Sequence, residues 1–143
     1  MRVLVDTNVL ISALHFRGSV PRRVLELIIR GDLQLVTSPR LLDELQTVLA
    51  EDMGWSPTQA VLVRRQLEDL AELVAPTHVP RICRDPDDDE VLAAAILGRA
   101  AVVISGDRDL LVLERHGDAE IVSPADFLRR DPDPSSSGPD PKS

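Results

Sequence analysis

The stretch Val3-Leu4-Val5-Asp6-Thr7-Asn8-Val9-Leu10-Ile11 decides the fold. Val3 to Val5 is a compact apolar run bounded by a polar turn, which fits a buried strand from Arg2 to Val5 better than a helix, and Asn8 to Leu14 then reads as a short helix. Asp6 therefore falls at the carboxyl end of a buried strand, the edge where open α/β sheets keep their chemistry. An aspartate there also serves as a helix cap. Thr7 and Asn8 follow it as short polar residues able to orient the carboxylate and cap the helix together.

Outward from that joint, strand and helix alternate. Gly18-Ser19 breaks the chain before Val20 to Arg30, where Val20, Val24, Leu27 and Ile28 recur at helical spacing and Gly31 supplies the stop. Leu33 to Val36 is a second strand. Ser38-Pro39 starts a helix striped by Leu41, Leu42, Leu45, Val48 and Leu49, and Ser56-Pro57 starts another that the stripe Ala60, Val63, Leu67, Leu70 and Val74 carries to about Val74. Pro76 and Pro80 bracket an irregular stretch. There follow a helix from Asp88 to Leu97, a strand from Ala101 to Ile104, a short helix from Arg108 to Leu113, a strand from Glu120 to Val122 and a last helix from Ser123-Pro124 to about Arg129. This alternation predicts a three-layer α/β/α sandwich with a central parallel sheet, in one domain spanning residues 1–130. Residues 131–143, rich in proline, serine and aspartate, read as a disordered tail.

Composition narrows the function. A net charge of −8 argues against a general nucleic-acid coat protein, whose affinity rests on basic residues neutralising phosphates, but leaves room for an enzyme that handles nucleic acid through bound cations. Lys142 is the only lysine, so any phosphate contact falls to arginine. With Cys83 as the only cysteine there is neither an internal disulfide nor a cysteine-rich metal site, which fits a cytoplasmic protein. The apolar N-terminal run, interrupted by Asp6, Asn8 and Ser12, is neither a secretory signal nor a membrane span. With Phe16, Trp55 and Phe127 as the only aromatics, a base-stacking platform is not expected. No phosphate-cradling glycine loop is present.

Three more acidic positions adjoin element-like runs: Glu44 near an apolar stripe, the cluster Asp85-Pro86-Asp87-Asp88-Asp89 before a buried helix, and Asp107 after the strand ending at Ile104. Convergent carboxylates about 4 Å apart repel by roughly 4 kcal/mol at an effective dielectric near 20. Either one of them holds a proton, or a hard divalent cation sits among them; oxygen ligands of this kind suit Mg²⁺ or Mn²⁺.

The segments Val3 to Ser12, the helix with Glu44, Asp85 to Ala95 and Ile104 to Leu111 together resemble the four acidic motifs of the PIN domain, in order and separation, over roughly residues 1 to 128. The wording of the last two is most similar to VapC-like toxin components of toxin-antitoxin pairs. The resemblance implies an endoribonuclease in which Asp6 and Asp88 hold Mg²⁺ or Mn²⁺, Glu44 and Asp107 complete the catalytic pocket, and a metal-activated water attacks an RNA phosphodiester. A shift of one residue in matching the third motif would substitute Asp87 or Asp89 for Asp88. Asn8 and Ser105 correspond to small polar residues lining such pockets, and Asp109 to a supporting acid or an ordinary helix residue.

The implied partners are an RNA substrate and a small antitoxin protein, with no membrane. Arg17, Arg22 and Arg23 follow the first helix and are candidates for substrate phosphate contact. Dimerisation through the helices between Val20 and Val74 is a further expectation. His15, His78 and His116 are isolated from one another, which argues against a histidine-based ribonuclease, and Cys83 is expected to pack rather than react. A haloacid-dehalogenase-like phosphatase is excluded because Asn8 stands where the second aspartate is needed. The alternative is a PIN-like RNA-processing or RNA-binding module with no toxin role.

Overall fold

Strand β1 (Arg2–Val5) lies inside the sheet because both of its faces are covered. Val3 and Val5 enter one hydrophobic cluster and Leu4 enters the other. In the computed structural model, which describes residues 1–130, β1 pairs in parallel with β2 (Gln34–Thr37) on one side and β4 (Val102–Ile104) on the other. Beyond them lie β3 (Ala71–Leu73) and β6 (Ala119–Val122), also parallel, and the edge strand β5 (Arg115–His116) runs antiparallel to β6. The order is β3-β2-β1-β4-β6-β5. The expected disordered tail, 131–143, lies outside the described residues.

Helices cover both faces. On the side of Val3 and Val5 pack α1 (Thr7–His15), α2 (Val20–Ile29), α3 (Pro39–Glu51), α4 (Pro57–Leu70) and α7 (Pro124–Arg130). On the side of Leu4 pack α5 (Pro86–Leu97) and α6 (Arg108–Leu111), through Val91, Leu92, Ala94, Ala95 and Leu110. The Ser-Pro starts work as expected. Ser38 Oγ accepts the Leu41 N–H at 3.2 Å, and Ser56 exchanges hydrogen bonds with Gln59 in a capping box.

Two strands were not expected. The helical stripe through Leu67 and Leu70 to Val74 conceals β3: α4 stops at Leu70, where Leu70 and Ala71 still face one core cluster while Val74 faces the other. The chain has become a strand, and the Val74 N–H donates to Thr37 O at 2.9 Å. The second omission is the hairpin of β5 and β6, turned by Gly117-Asp118. Gly117 has φ +59°, a left-handed conformation that glycine adopts without a Cβ penalty. The sheet is thus parallel except at this edge. Helix α5 also begins two residues earlier than expected, with Asp85 as its cap accepting the Asp87 N–H at 2.9 Å. Among the described residues no helix is long and apolar enough to cross a membrane.

Candidate metal centre

Parallel pairing brings the carboxyl ends of β1, β2, β4 and β6 to one edge, so the residues just after them become neighbours. The Asp6 N–H donates to Ile104 O at 2.9 Å, extending the ladder by one step and fixing the height of Asp6 beside Ser105. Asp6 occupies the N-cap position of α1, yet its side chain makes no capping hydrogen bond. Its Oδ2 instead accepts the Ser105 hydroxyl at 2.7 Å. Ser105 Oγ in turn accepts the Asp107 N–H at 3.0 Å, and Asp107 Oδ1 accepts the Asp109 N–H at 2.8 Å, capping α6. One serine thereby orients acids on two chain segments.

The Asp85 to Glu90 run splits by direction. Asp88, 4% exposed, turns toward the strand ends, and its Oδ2 is buried without a hydrogen-bond partner. Carboxylate oxygens of Asp88, Asp107 and Asp109 all lie within 4.8 Å of one another. Asp6 stands outside that trio but within its field. Asp87 faces α3, 3.3 Å from Arg40, and Glu90 lies 3.9 Å from the same arginine. Asp89 turns away from the pocket and accepts the Ile82 and Cys83 N–H groups at 2.9 and 2.7 Å.

Electrostatics separates the same residues. Burial raises the Asp88 carboxyl to about 7, aided by the charges of Asp107 and Asp6. Burial likewise raises Glu44 to about 7, with Asp87 and Asp6 adding to the effect and the Thr7 hydroxyl opposing it. Asp6 is raised by burial, against the pull of the Ser105 hydroxyl. Asp89 moves the other way, held below its ordinary value chiefly by the Cys83 N–H, with Ile82 helping. The Cys83 thiol is pushed up to about 11 by burial and by Asp89 and Asp88, which leaves it protonated and inert.

Asp6, Asp88, Asp107 and the half-buried Glu44 thus lie within one another's fields at one sheet edge. Asn8 is exposed at the first turn of α1 and lines a hollow of about 300 Å³ with Ser12, Pro21 and Asp107. Arg17 is exposed beyond α1. Arg22 donates to Ala13 O at 3.3 Å and lies 4.0 Å from Glu26, so its guanidinium is engaged with its own helices. His15 accepts the Trp55 indole N–H at 3.2 Å, far from any nucleophile pattern. Three features escaped the sequence: Asp109 as a full member of the carboxylate trio, Asp87 as the neighbour of Glu44, and the arginines that reach these acids. The Asp-x-Asp spacing of Asp107 and Asp109 around a helix start was the available signal for the first.

The donor set is all carboxylate, partly desolvated, with one buried oxygen lacking a partner; that fits a hard divalent cation. A family model described as the PIN domain matches residues 2–109. The chain belongs to the PIN-domain family. An uncharacterized protein of Methanocaldococcus jannaschii, MJ1680, is 30% identical over 118 residues, covering 79% of this chain and 75% of that protein. The PIN fold also superposes on VapBC2 from Rickettsia felis, solved with a DNA fragment from its promoter. The TM-score is 0.60 at 14% identity, covering 85% of this chain and 97% of that one. VapBC-1 from nontypeable Haemophilus influenzae gives 0.61 at 16% identity, covering 87% and 99%.

Proposed function

We propose that this PIN protein is a metal-dependent endoribonuclease and the toxin of a toxin-antitoxin pair. The observation that carries the nuclease reading is Asp88 Oδ2: a buried carboxylate oxygen with no hydrogen-bond partner, inside a trio of acids and within the field of Asp6. Leaving such a group unmatched is costly, and a cation offsets that cost. Asp88, Asp107 and Asp6 would hold the ion, with Asp109 at its margin. A bound Mg²⁺ or Mn²⁺ supplies Lewis acidity toward a phosphodiester and toward water.

The chain's own residues do the rest. Ser105 holds Asp6 and the start of α6 in fixed relation, so the acids need little rearrangement when substrate arrives. Glu44, raised to about 7, is matched to ambient pH and suited to take a proton from an attacking water. Asp87 beside it keeps that value high.

The toxin role is supported by the shared fold with VapBC chains, and the antitoxin partner belongs to the same proposal. The family match by itself fits equally an RNA-processing module without a toxin role. Two measurements test these readings. Purified protein is expected to cut single-stranded RNA with Mg²⁺ or Mn²⁺ and to stop in EDTA; cleavage that persists in EDTA and in Asp6→Asn would overturn the metal-dependent nuclease. Expression in a bacterial host is expected to arrest growth only when the pocket is intact, and normal growth alongside active nuclease would leave the processing role instead.

A further inference from the structure

We propose that Arg40, Arg81 and Arg84 form a rim that binds the phosphate backbone of the RNA strand next to the acidic pocket, a placement that rests on the nuclease reading above. These three side chains line one hollow of about 320 Å³ together with Val79, Cys83 and Pro86. The hollow also contains Asp89, whose Oδ1 accepts both backbone N–H groups of the 82–83 segment and whose negative charge is offset by the field of Arg81. The rim and the acidic pocket are contiguous. Arg84 reaches Asp109 of the carboxylate trio at 3.0 and 3.3 Å, and Arg40 reaches Asp87, the neighbour of Glu44.

A chain of net charge −8 repels a polyanion, and the pocket of carboxylates intensifies that repulsion where the scissile bond must lie. Cations in the pocket address one phosphate, and its neighbours along the strand need positive charge from the protein. Guanidinium groups supply it as planar forks that grip phosphate in a bidentate manner. The existing ion pairs do not block this use. The Arg84 side chain is 88% exposed and that of Arg40 52%, so both pairs are solvated and exchange readily for a phosphate. Arg81 makes no ion pair among the described residues and acts on Asp89 only through its field. When Arg84 moves to phosphate it leaves the Asp109 carboxylate without its cation, so strand binding and the negative charge of the acid trio are linked. Arg22, by contrast, is tied to Ala13 and Glu26.

The test measures binding of a fluorescently labelled single-stranded RNA oligonucleotide of mixed sequence to the full chain carrying Asp6→Asn, in Mg²⁺, over a range of salt concentrations. Adding Arg81→Gln or Arg84→Gln is expected to weaken binding several-fold and to reduce the slope of log affinity against log salt by about 0.7 for each phosphate no longer neutralised. Arg84→Lys is expected to keep the slope while losing affinity, and thermal melting checks that each variant folds. If Arg40→Gln, Arg81→Gln and Arg84→Gln leave affinity and slope unchanged while the parent binds, the rim is wrong and the nuclease reading stands. Loss confined to Arg17→Gln and Arg22→Gln would move the strand to the α1–α2 side and equally overturn it. A parent that binds no RNA, with a wild type that cleaves none, would remove the nuclease reading and this inference with it.

Discussion

The acidic pocket is built from two kinds of support, and they differ in what fixes them. Asp6 and Ser105 follow directly from strands, so sheet register sets their positions: the pairing of Val5 with Ile104 puts their next residues side by side. Asp87, Asp88 and Asp89 sit on the first turn of α5, where each step along the chain rotates the side chain by about 100°. Three consecutive aspartates therefore face an arginine, a carboxylate pocket and a pair of backbone N–H groups. Identity of residue type on a helix turn says nothing about identity of role; phase decides it.

That contrast breaks most sharply at Asp88 and Asp89. Asp88→Asn is expected to lower metal-dependent RNA cleavage by roughly 10²–10⁴-fold while the melting temperature without metal holds or rises, because a buried, unmatched charge has been removed. Asp89→Asn is expected to do the opposite. It weakens the acceptor of two backbone N–H groups at a cost of about 1–3 kcal/mol, seen in thermal or urea unfolding, with cleavage per folded molecule within a few-fold of wild type. If the two variants exchange these phenotypes, the orientation of α5 is wrong.

Stability against pH sharpens the same division. Asp88 and Glu44 titrate near 7 in the folded protein and near 4 when unfolded, so between those values the folded state binds more protons. Their contribution is fully present below about pH 4 and is lost as pH rises toward 7. Asp89, lowered in the fold, contributes stability above its unfolded value and loses it only in acid. In EDTA the melting temperature is therefore expected to fall between pH 5 and pH 8. Mn²⁺ should restore it at pH 8 and do little at pH 5. A flat profile in EDTA would mean that the pocket acids are not desolvated together.

On the strand side, Ser105→Ala removes the donor to Asp6 and the acceptor for Asp107 N–H, both in a buried setting. A loss of about 1–3 kcal/mol is expected, together with lowered cleavage, readable by unfolding and by initial rates. The smallest effect is at Cys83. With its thiol raised to about 11, labelling by a thiol reagent at pH 8 should be slower than for a free cysteine peptide and should rise steeply toward pH 10.

The same difference explains what was legible in the sequence. Asp6 and Asp107 could be placed because each follows an apolar run, and a strand end is a fixed point. Asp88 was reached only by matching motif spacing, with Asp87 and Asp89 one step away, since a run of acids at a helix start carries no phase marker of its own. Strand β3 was hidden because Leu67, Leu70 and Val74 satisfy a helical period while the chain changes to a strand between them. The hairpin at Gly117-Asp118 was readable as a turn signal, but two-residue strands leave almost no alternation to read. The arginine rim depends on loop geometry between Val79 and Asp85, which no local periodicity encodes.

The sheet order has a consequence for the order of events at the ribosome. The first strand made, β1, is flanked in the finished sheet by β4, and Asp6 receives its hydrogen bond from a serine 99 residues downstream. Helix α3 can dock on α1 early, bringing Glu44 near Asp6, but Asp88, Ser105 and Asp107 arrive only with the last third of the described chain. A growing chain thus exposes at most part of the acid set, and never the assembled pocket until β4 has left the exit tunnel and paired. At typical synthesis rates of about 5–20 residues per second, that delay spans several seconds. Whatever chemistry the acids perform together therefore waits for the last third of the described chain.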